Sequence, residues 1–348
     1  MDRIVIVDIS TVDPITESSI LEKKHDCWTY DIDMDFDEMT KKSFLQINPK
    51  IRENVDTVIL SSLHSDPYAK DLLAKQFPRI RPSTFLKSIG ATATVNLFGD
   101  HKKNLDVFSV GAMCATGLKA MEIGYMLAMV KNSVVMIGCT DRQTTPVDLK
   151  CFASIRALST AEEFRGPFDV QRKGFAMGAA SAWAAVCTEK KAKEMNIEPI
   201  AVIESIESQS RASHTTSPSD GIFIYDLVQR NVKDINSIAH WNAHATCTEV
   251  GDVIEHEIFK MIVRNRDIPI SSLKGRVGHT MSASAIVEMY HGIKSIQNKR
   301  VFANENIVEA FDPDPRIITE ETSTDKDTFI KASFGFGGKN SIAVVKVI

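Results

Sequence analysis

The chain has 348 residues, 43% of them hydrophobic, enough to bury a large core as two domains or as one domain of two similar halves. Its 41 basic and 45 acidic residues give a formal net charge of -4 with no basic stripe, which argues against a nucleic-acid partner. The start MDRIVIVDIS is too short in apolar length for a signal peptide or a membrane helix, no other run reaches about 18 apolar residues, and six cysteines without a CxxC pair suggest neither a disulfide framework nor a zinc ribbon. A cytoplasmic globular protein with no membrane partner is expected.

In chain order, β-branched runs predict strands at Arg3–Asp8, Thr57–Ser61, Leu105–Val110, Val134–Cys139, Ala176–Thr188, Ile200–Gln209, Ser237–Trp241, Thr328–Phe334 and Ile342–Val347. Helical spacing predicts helices over Ser83–Leu97, Ala115–Val130, Asp252–Val263 and Ala283–Gln297. The alternation is that of an α/β protein whose mainly parallel sheets are covered by helices. Residues 14–50 are polar, acidic and weakly periodic, and read as a surface excursion. Two strands in succession, Ala176–Thr188 then Ile200–Gln209, and a second such pair at the end of the chain suggest two related halves, 1–211 and 212–348. No sequence repeat is visible by eye.

Four stretches could carry chemistry. In FSVGAMCATGLKAMEIG, Cys114 lies between a strand and a helix. A thiol at a helix N-terminus has its pKa lowered by the backbone N–H groups and the helix dipole, yet cysteine is also a common small core residue, and position alone does not decide. In HWNAHATCTEVGDVIEHE, His240 and His244 have the spacing of a helical metal pair but sit on an apparent strand, which would hold them about 13 Å apart, so no metal is expected. His244 falls at the strand end, where catalytic side chains are often presented.

SSLKGRVGHTMSASAIVEM places Lys274 and His279 in a glycine-interrupted loop before a helix, where they are either site residues or a solvated lysine and a capping histidine. SFGFGGKNS fails the phosphate-loop pattern at Ser333 and Asn340, and its glycines at 335, 337 and 338 describe a loop whose backbone approaches something closely.

Together with RGPFDVQRKGFAMGAASA at 165–182, these blocks resemble, in order and spacing, the active-site blocks of the elongating β-ketoacyl-acyl carrier protein synthases of the thiolase superfamily. The resemblance runs from about residue 80 to the end. It implies a thiolase-like α/β fold: two related halves with mixed five-stranded sheets in an αβαβα arrangement. It implies decarboxylative condensation, with Cys114 as the acyl-accepting nucleophile and His244 and His279 as donors to the malonyl thioester carbonyl. Backbone N–H groups of Cys114 and Phe336 would form the oxyanion hole, and Lys274 would organise the histidines with Glu255 as its partner. Thr246, Thr248 and Phe336 would contact the phosphopantetheine arm or gate the acyl chain.

The resemblance further implies an acyl carrier protein partner, no cofactor beyond the carrier's own arm, and a homodimer formed through Leu105–Val110, or a heterodimer with a related subunit. Cys-His-His with a lysine favours an elongating enzyme over the Cys-His-Asn starter type. Two rivals are an acyltransferase of the same fold without extension, which the two histidines argue against, and a chain-length-factor-like partner subunit, which would usually lack the cysteine. The region before Cys114 is several dozen residues shorter than in that family. Ala179, Glu249, Ser282 and Lys339 depart from the blocks without removing a catalytic group.

Overall fold

The computed structural model describes residues 2–63, 72, 75–79, 81, 97–98, 104–211 and 221–348. The helix expected over Ser83–Leu97 lies, apart from Leu97, outside the described residues.

The strands are β1 (Ile4–Val12), β2 (Glu22–Lys24), β3 (Cys27–Tyr30), β4 (Val55–Ser61), β5 (Asp106–Phe108), β6 (Val134–Arg142), β7 (Met177–Thr188), β8 (Ala201–Ser210), β9 (Ile238–Asn242), β10 (Ile270–Ser271), β11 (Arg300–Val301), β12 (Thr322–Ser323), β13 (Thr328–Gly335) and β14 (Lys339–Val347). The helices are α1 (Phe36–Gln46), α2 (Pro49–Asn54), α3 (Thr116–Lys131), α4 (Pro146–Ser154), α5 (Glu189–Glu194), α6 (Gly221–Asn231), α7 (Gly251–Val263), α8 (Lys274–Val277) and α9 (Ser284–Gln297).

Strand order is β10-β9-β13-β14-β8-β1-β7-β6-β4-β5. Starting from β1, the neighbours β7, β6, β4 and β5 pair antiparallel, antiparallel, parallel and parallel. Starting from β8, the neighbours β14, β13, β9 and β10 repeat that sequence. The chain is therefore two copies of one five-stranded mixed pattern, joined where β1 and β8 pair only at Val5↔Val202 and Ile6↔Ala201. This corrects the division at 211/212: β8 pairs with β14 along its length, so the second pattern begins at Ala201. The strand pairs that close the two patterns are β6–β7 and β13–β14, because α5 separates β7 from β8 and sends β8 to a different partner.

Period-2 alternation sorts the side chains into layers. From β7, Ala180, Ala182, Ala184 and Val186 join the cluster around α3 and α9, while Trp183, Ala185 and Cys187 face Phe44, Ile47 and Ile51 of the α1–α2 region. From β14, Ala343, Val345 and Val347 face inward, while Ile342 and Val344 join Ile224, Leu227, Ile258 and Phe259 of α6 and α7. The result is five layers, with helices outside, a sheet, the central helices α3 and α9, a second sheet, and helices outside again. Burial between two sheets explains why α3 is apolar enough to meet the composition of a membrane span.

Residues 14–50 are not the surface excursion expected. Phe36, Met39, Thr40, Ser43, Phe44 and Ile47 are buried, at the i, i+3, i+4, i+7 spacing of an amphipathic helix whose acidic side obscured it. Asp35 caps α1 by accepting from Glu38 N at 2.7 Å, and Asn48 caps α2 by accepting from Lys50 N at 2.9 Å.

The central helices touch closely at Gly117, where an added Cβ would lie 2.8 Å from Ser282 O and 3.0 Å from Ala285 Cβ. Helix propensity alone would favour Gly117→Ala by about 1 kcal/mol. Forcing backbone apart in a packed core costs about 1–3 kcal/mol, so G117A is expected to lower stability in urea unfolding. A variant more stable than wild type would show that α3 can yield there.

Candidate active site

Two equivalent turns lead into α3 and α9. The one-turn 3-10 segments Met113–Ala115 and Met281–Ala283 begin with Met113 at φ 52 and Met281 at φ 49, in the left-handed region that non-glycine residues avoid. Hydroxyls brace both turns: Thr116 Oγ1 accepts from Ala112 N at 2.8 Å, and Ser284 Oγ accepts from Thr280 N at 3.1 Å. Ser282 thus occupies in the second half the place of Cys114 in the first. Ser282 binds Asp141 through both its N–H, at 2.8 Å, and its hydroxyl. Asp141, at the end of β6, also accepts from Ser62 Oγ at 2.8 Å, Leu63 N at 2.9 Å and Gln143 Nε2 at 3.0 Å. Ser282, one of the departures from the blocks, therefore ties the two halves together beside the Cys114 turn.

Cys114, His244, His279, Phe336, Glu255, Thr246 and Thr248 all line one cavity of about 700 Å³. His244 stands two residues beyond β9, and His279 beyond α8; their rings meet edge to face at 5.6 Å. Phe334 packs on His244 at 5.7 Å and Phe175 on His279 at 4.9 Å, which fixes both rings. His279 Nδ1 pairs with Ser284 Oγ at 2.9 Å, whereas His279 Nε2 and His244 Nδ1 are buried without a hydrogen-bond partner. Such atoms are costly unless a ligand satisfies them. His240 points elsewhere, to Ser271 Oγ at 2.8 Å.

The glycine loop closes on the nucleophile turn as expected. A Cβ on Gly335 would lie 2.8 Å from Ala112 O and 3.2 Å from Cys114 N, so only glycine permits this approach. The backbone N–H groups of Cys114 and Phe336 both act on the Cys114 sulfur, stabilising its anion. Burial nevertheless dominates and pushes the Cys114 thiol up to about 12, against the helix-terminal lowering expected from the sequence. Burial, aided by repulsion from Lys274 and Lys331 and, for His244, from His279 as well, keeps both histidines far below the ordinary imidazole range.

The lysine's partner is corrected. Lys274 Nζ bonds Glu288 Oε1, not Glu255. Glu255 instead accepts from His244 N at 3.0 Å, Ala245 N at 2.8 Å and Trp241 Nε1 at 3.1 Å, pinning the backbone that carries His244. Sequence reasoning also missed Lys331 on β13, whose ammonium is fully buried 2.6 Å from Glu288 Oε2. Its signal was a lysine inside an otherwise buried strand, TFIKASFG.

As for metal, among the described residues His256, Glu257 and Asp312 bring ligand atoms within 4.8 Å of one another. Lys260 Nζ bridges that gap, 2.7 Å from Glu257 and 3.0 Å from Asp312, and supplies the positive charge itself.

A doubled mixed sheet with a cysteine turn from one half facing histidines from the other defines a thiolase-like ketosynthase fold. The chain matches the N-terminal domain of beta-ketoacyl synthases over residues 106–192 and the C-terminal domain over residues 200–307, and it belongs to that family. It is 29% identical over 253 residues to the chloroplastic 3-oxoacyl-acyl-carrier-protein synthase I of Hordeum vulgare, covering 68% of this chain and 54% of that one. It is 28% identical over 259 residues to the tetracenomycin polyketide synthase ketoacyl synthase alpha subunit of Streptomyces glaucescens, covering 68% and 59%. The chain thus spans between half and two thirds of the length of these curated relatives. A solved structure of a type II polyketide synthase acyl-carrier protein in complex with its ketosynthase bound to the hexaketide has a chain of the same fold, with a TM-score of 0.87 at 18% identity and full coverage of both chains.

Proposed function

We propose that this protein is a condensing enzyme that extends an acyl chain by decarboxylative Claisen condensation with a malonyl-acyl carrier protein. The observation that carries this reading is the convergence of Cys114, His244, His279 and Phe336 on one cavity, with unsatisfied ring nitrogens beside a buried thiol. In the first half-reaction the Cys114 sulfur attacks an acyl-carrier thioester, and the acyl–S bond of the carrier breaks as the carrier thiol takes the cysteine's proton. The N–H groups of Cys114 and Phe336 receive the tetrahedral oxyanion. In the second, the malonyl thioester loses carbon dioxide, and its carbonyl becomes an enolate held by His244 and His279. The enolate carbon attacks the acyl–Cys114 carbonyl; the new carbon–carbon bond forms, the S–acyl bond breaks, and the sulfur regains a proton.

Ser284 supports one histidine tautomer. Its Oγ accepts the Thr280 N–H and lies 2.9 Å from His279 Nδ1 and 3.1 Å from Thr280 Oγ1; when it gives its proton to Nδ1, Nε2–H is the donor aimed at substrate. Neutral rings suit this role, because a cationic ring would hold the malonyl carboxylate and oppose its departure. The acyl carrier partner, the cytoplasmic location and a homodimer through β5, which ends the strand order, belong to this same proposal.

Intact-protein mass spectrometry after incubation with a panel of acyl-carrier thioesters tests the reading. One acyl adduct, lost in Cys114→Ala and discharged as a product two carbons longer when malonyl carrier is added, is the expected result. Transfer without carbon dioxide release or extension would make the protein an acyltransferase instead, and the absence of any adduct would remove the nucleophile.

A further inference from the structure

The condensation chemistry assigns no role to Lys331. Its side chain is fully buried on β13, and the ammonium meets Glu288 Oε2 at 2.6 Å and the carbonyl oxygens of Ala332 at 2.5 Å and of Asn242 and Ala243 at 3.4 Å each. Asn242 and Ala243 are the two residues just before His244, so the ammonium grips the end of the strand that presents the imidazole. Glu288 is bound on its other oxygen by Lys274, so one carboxylate holds two lysines.

Counting the buried charges around this point shows what the second lysine changes. Lys274 and Lys331 are the cations; Glu288 and Glu255 are the carboxylates; His240, His244 and His279 are held neutral by burial. With both lysines charged, they match Glu288 and Glu255; the buried Asp141 carboxyl beside Cys114 lies outside that set. With Lys331 neutral, one positive charge is lost beside the atoms that must accept negative charge. Charges in a water-excluded site act strongly on one another.

We infer that Lys331 is a positioning residue for the proposed condensation: its ammonium balances the second of the two carboxylates, Glu288 and Glu255, that act on it and holds the His244 strand end, so that the enolate and oxyanion form beside two buried cations rather than one. This rests on the condensation reading above. Burial and the like charge of Lys274 lower Lys331 to about 8, against the pull of Glu288 and Glu255, so the balancing charge is lost within an accessible pH range. Condensation therefore falls on the alkaline side around pH 8. Lys331→Arg, whose guanidinium stays charged, carries that limb upward. Lys331→Met has no such limb: below about pH 8 it condenses on the order of 10- to 100-fold more slowly than wild type, less than the roughly 10²- to 10³-fold loss typical of removing a direct oxyanion donor, and the gap narrows as wild-type Lys331 loses its proton.

The experiment combines pH profiles of condensation, read separately from acyl loading by mass spectrometry, with ring-nitrogen NMR titrations of ¹⁵N-histidine in wild type, K331R and K331M. The expected result is a limb near pH 8 in wild type that moves up in K331R, condensation lost far more than acyl loading in K331M, and an upward shift of the His244 or His279 titration in K331M as the lysine's repulsion is removed. A limb that K331R leaves in place, or wild-type condensation in K331M, would overturn the inference. Should K331M fail to fold, the profiles of wild type and K331R decide. Should wild type fail to condense, the proposed function falls, and unchanged histidine titrations in K331M would separately remove the charge claim.

Discussion

Cys114→Ala is expected to abolish two-carbon extension, by on the order of 10³-fold or more, because the proposed condensation needs the Cys114 sulfur to hold the acyl group until the second substrate arrives. Cys114→Gln is expected to separate the two half-reactions. Its side-chain amide would sit where the acyl carbonyl of the loaded cysteine sits, with the Cys114 and Phe336 N–H groups around it, while His244 and His279 remain in place. Malonyl decarboxylation should persist or rise in C114Q while extension is lost, measured as carbon dioxide released from labelled malonyl carrier against the mass of the product. His279→Ala in the same background should then remove decarboxylation, since its Nε2 is the buried nitrogen that a thioester oxygen would satisfy. Full extension in C114A, or decarboxylation in C114Q that is indifferent to His279, would sink the mechanism.

The Cys114 turn, both histidines and the glycine loop were legible only together: each alone had a structural explanation, and it was their order and spacing along the chain that pointed to one site. The longer strands were legible too, with ends displaced by up to four residues, since β-branched runs in a core of two covered sheets have few other uses. What stayed hidden depends on three-dimensional neighbours. Glu255 and Glu288 are both helix residues near the histidines in sequence, and only the packing of α9 against α8 decides that Glu288 meets Lys274 while Glu255 turns to backbone N–H groups. Lys331 reads as the polar face of an alternating strand until the second sheet is seen to be covered on both sides. The two related halves were expected, but no sequence repeat revealed them, for a related reason. Met113-Cys114-Ala115-Thr116-Gly117 and Met281-Ser282-Ala283-Ser284-Ala285 share only small residues and a methionine, and their equivalence rests on matching φ values and hydroxyl braces.

Glu288→Ala should produce the largest loss of stability among changes at the site. Glu288 and the lysines Lys274 and Lys331 are all buried, so deleting the carboxylate leaves two ammonium groups in a dry core with only carbonyl dipoles around Lys331. Breaking a buried ion pair by removing one partner costs about 3–5 kcal/mol, more than any interaction the alanine restores. Two observations would distinguish this from a mere cavity. First, Lys331→Met added to E288A should recover part of the loss, because the second change removes one of the stranded charges; a cavity would make the two changes additive. Second, the sign of the pH dependence is fixed. Lys331 sits at about 8 in the fold against 10.5 in an unfolded chain, so the unfolded state binds more protons in that interval and stability rises with pH from about 8 to 10.5. Without Glu288 the lysine loses its main attractive partner, its folded pKa drops further, and the window of rising stability opens at lower pH. Urea unfolding of wild type, E288A and E288A/K331M between pH 6 and 10 checks both. If E288A stays within about 1 kcal/mol of wild type at pH 7, the shared carboxylate is not what holds the two lysines in the core.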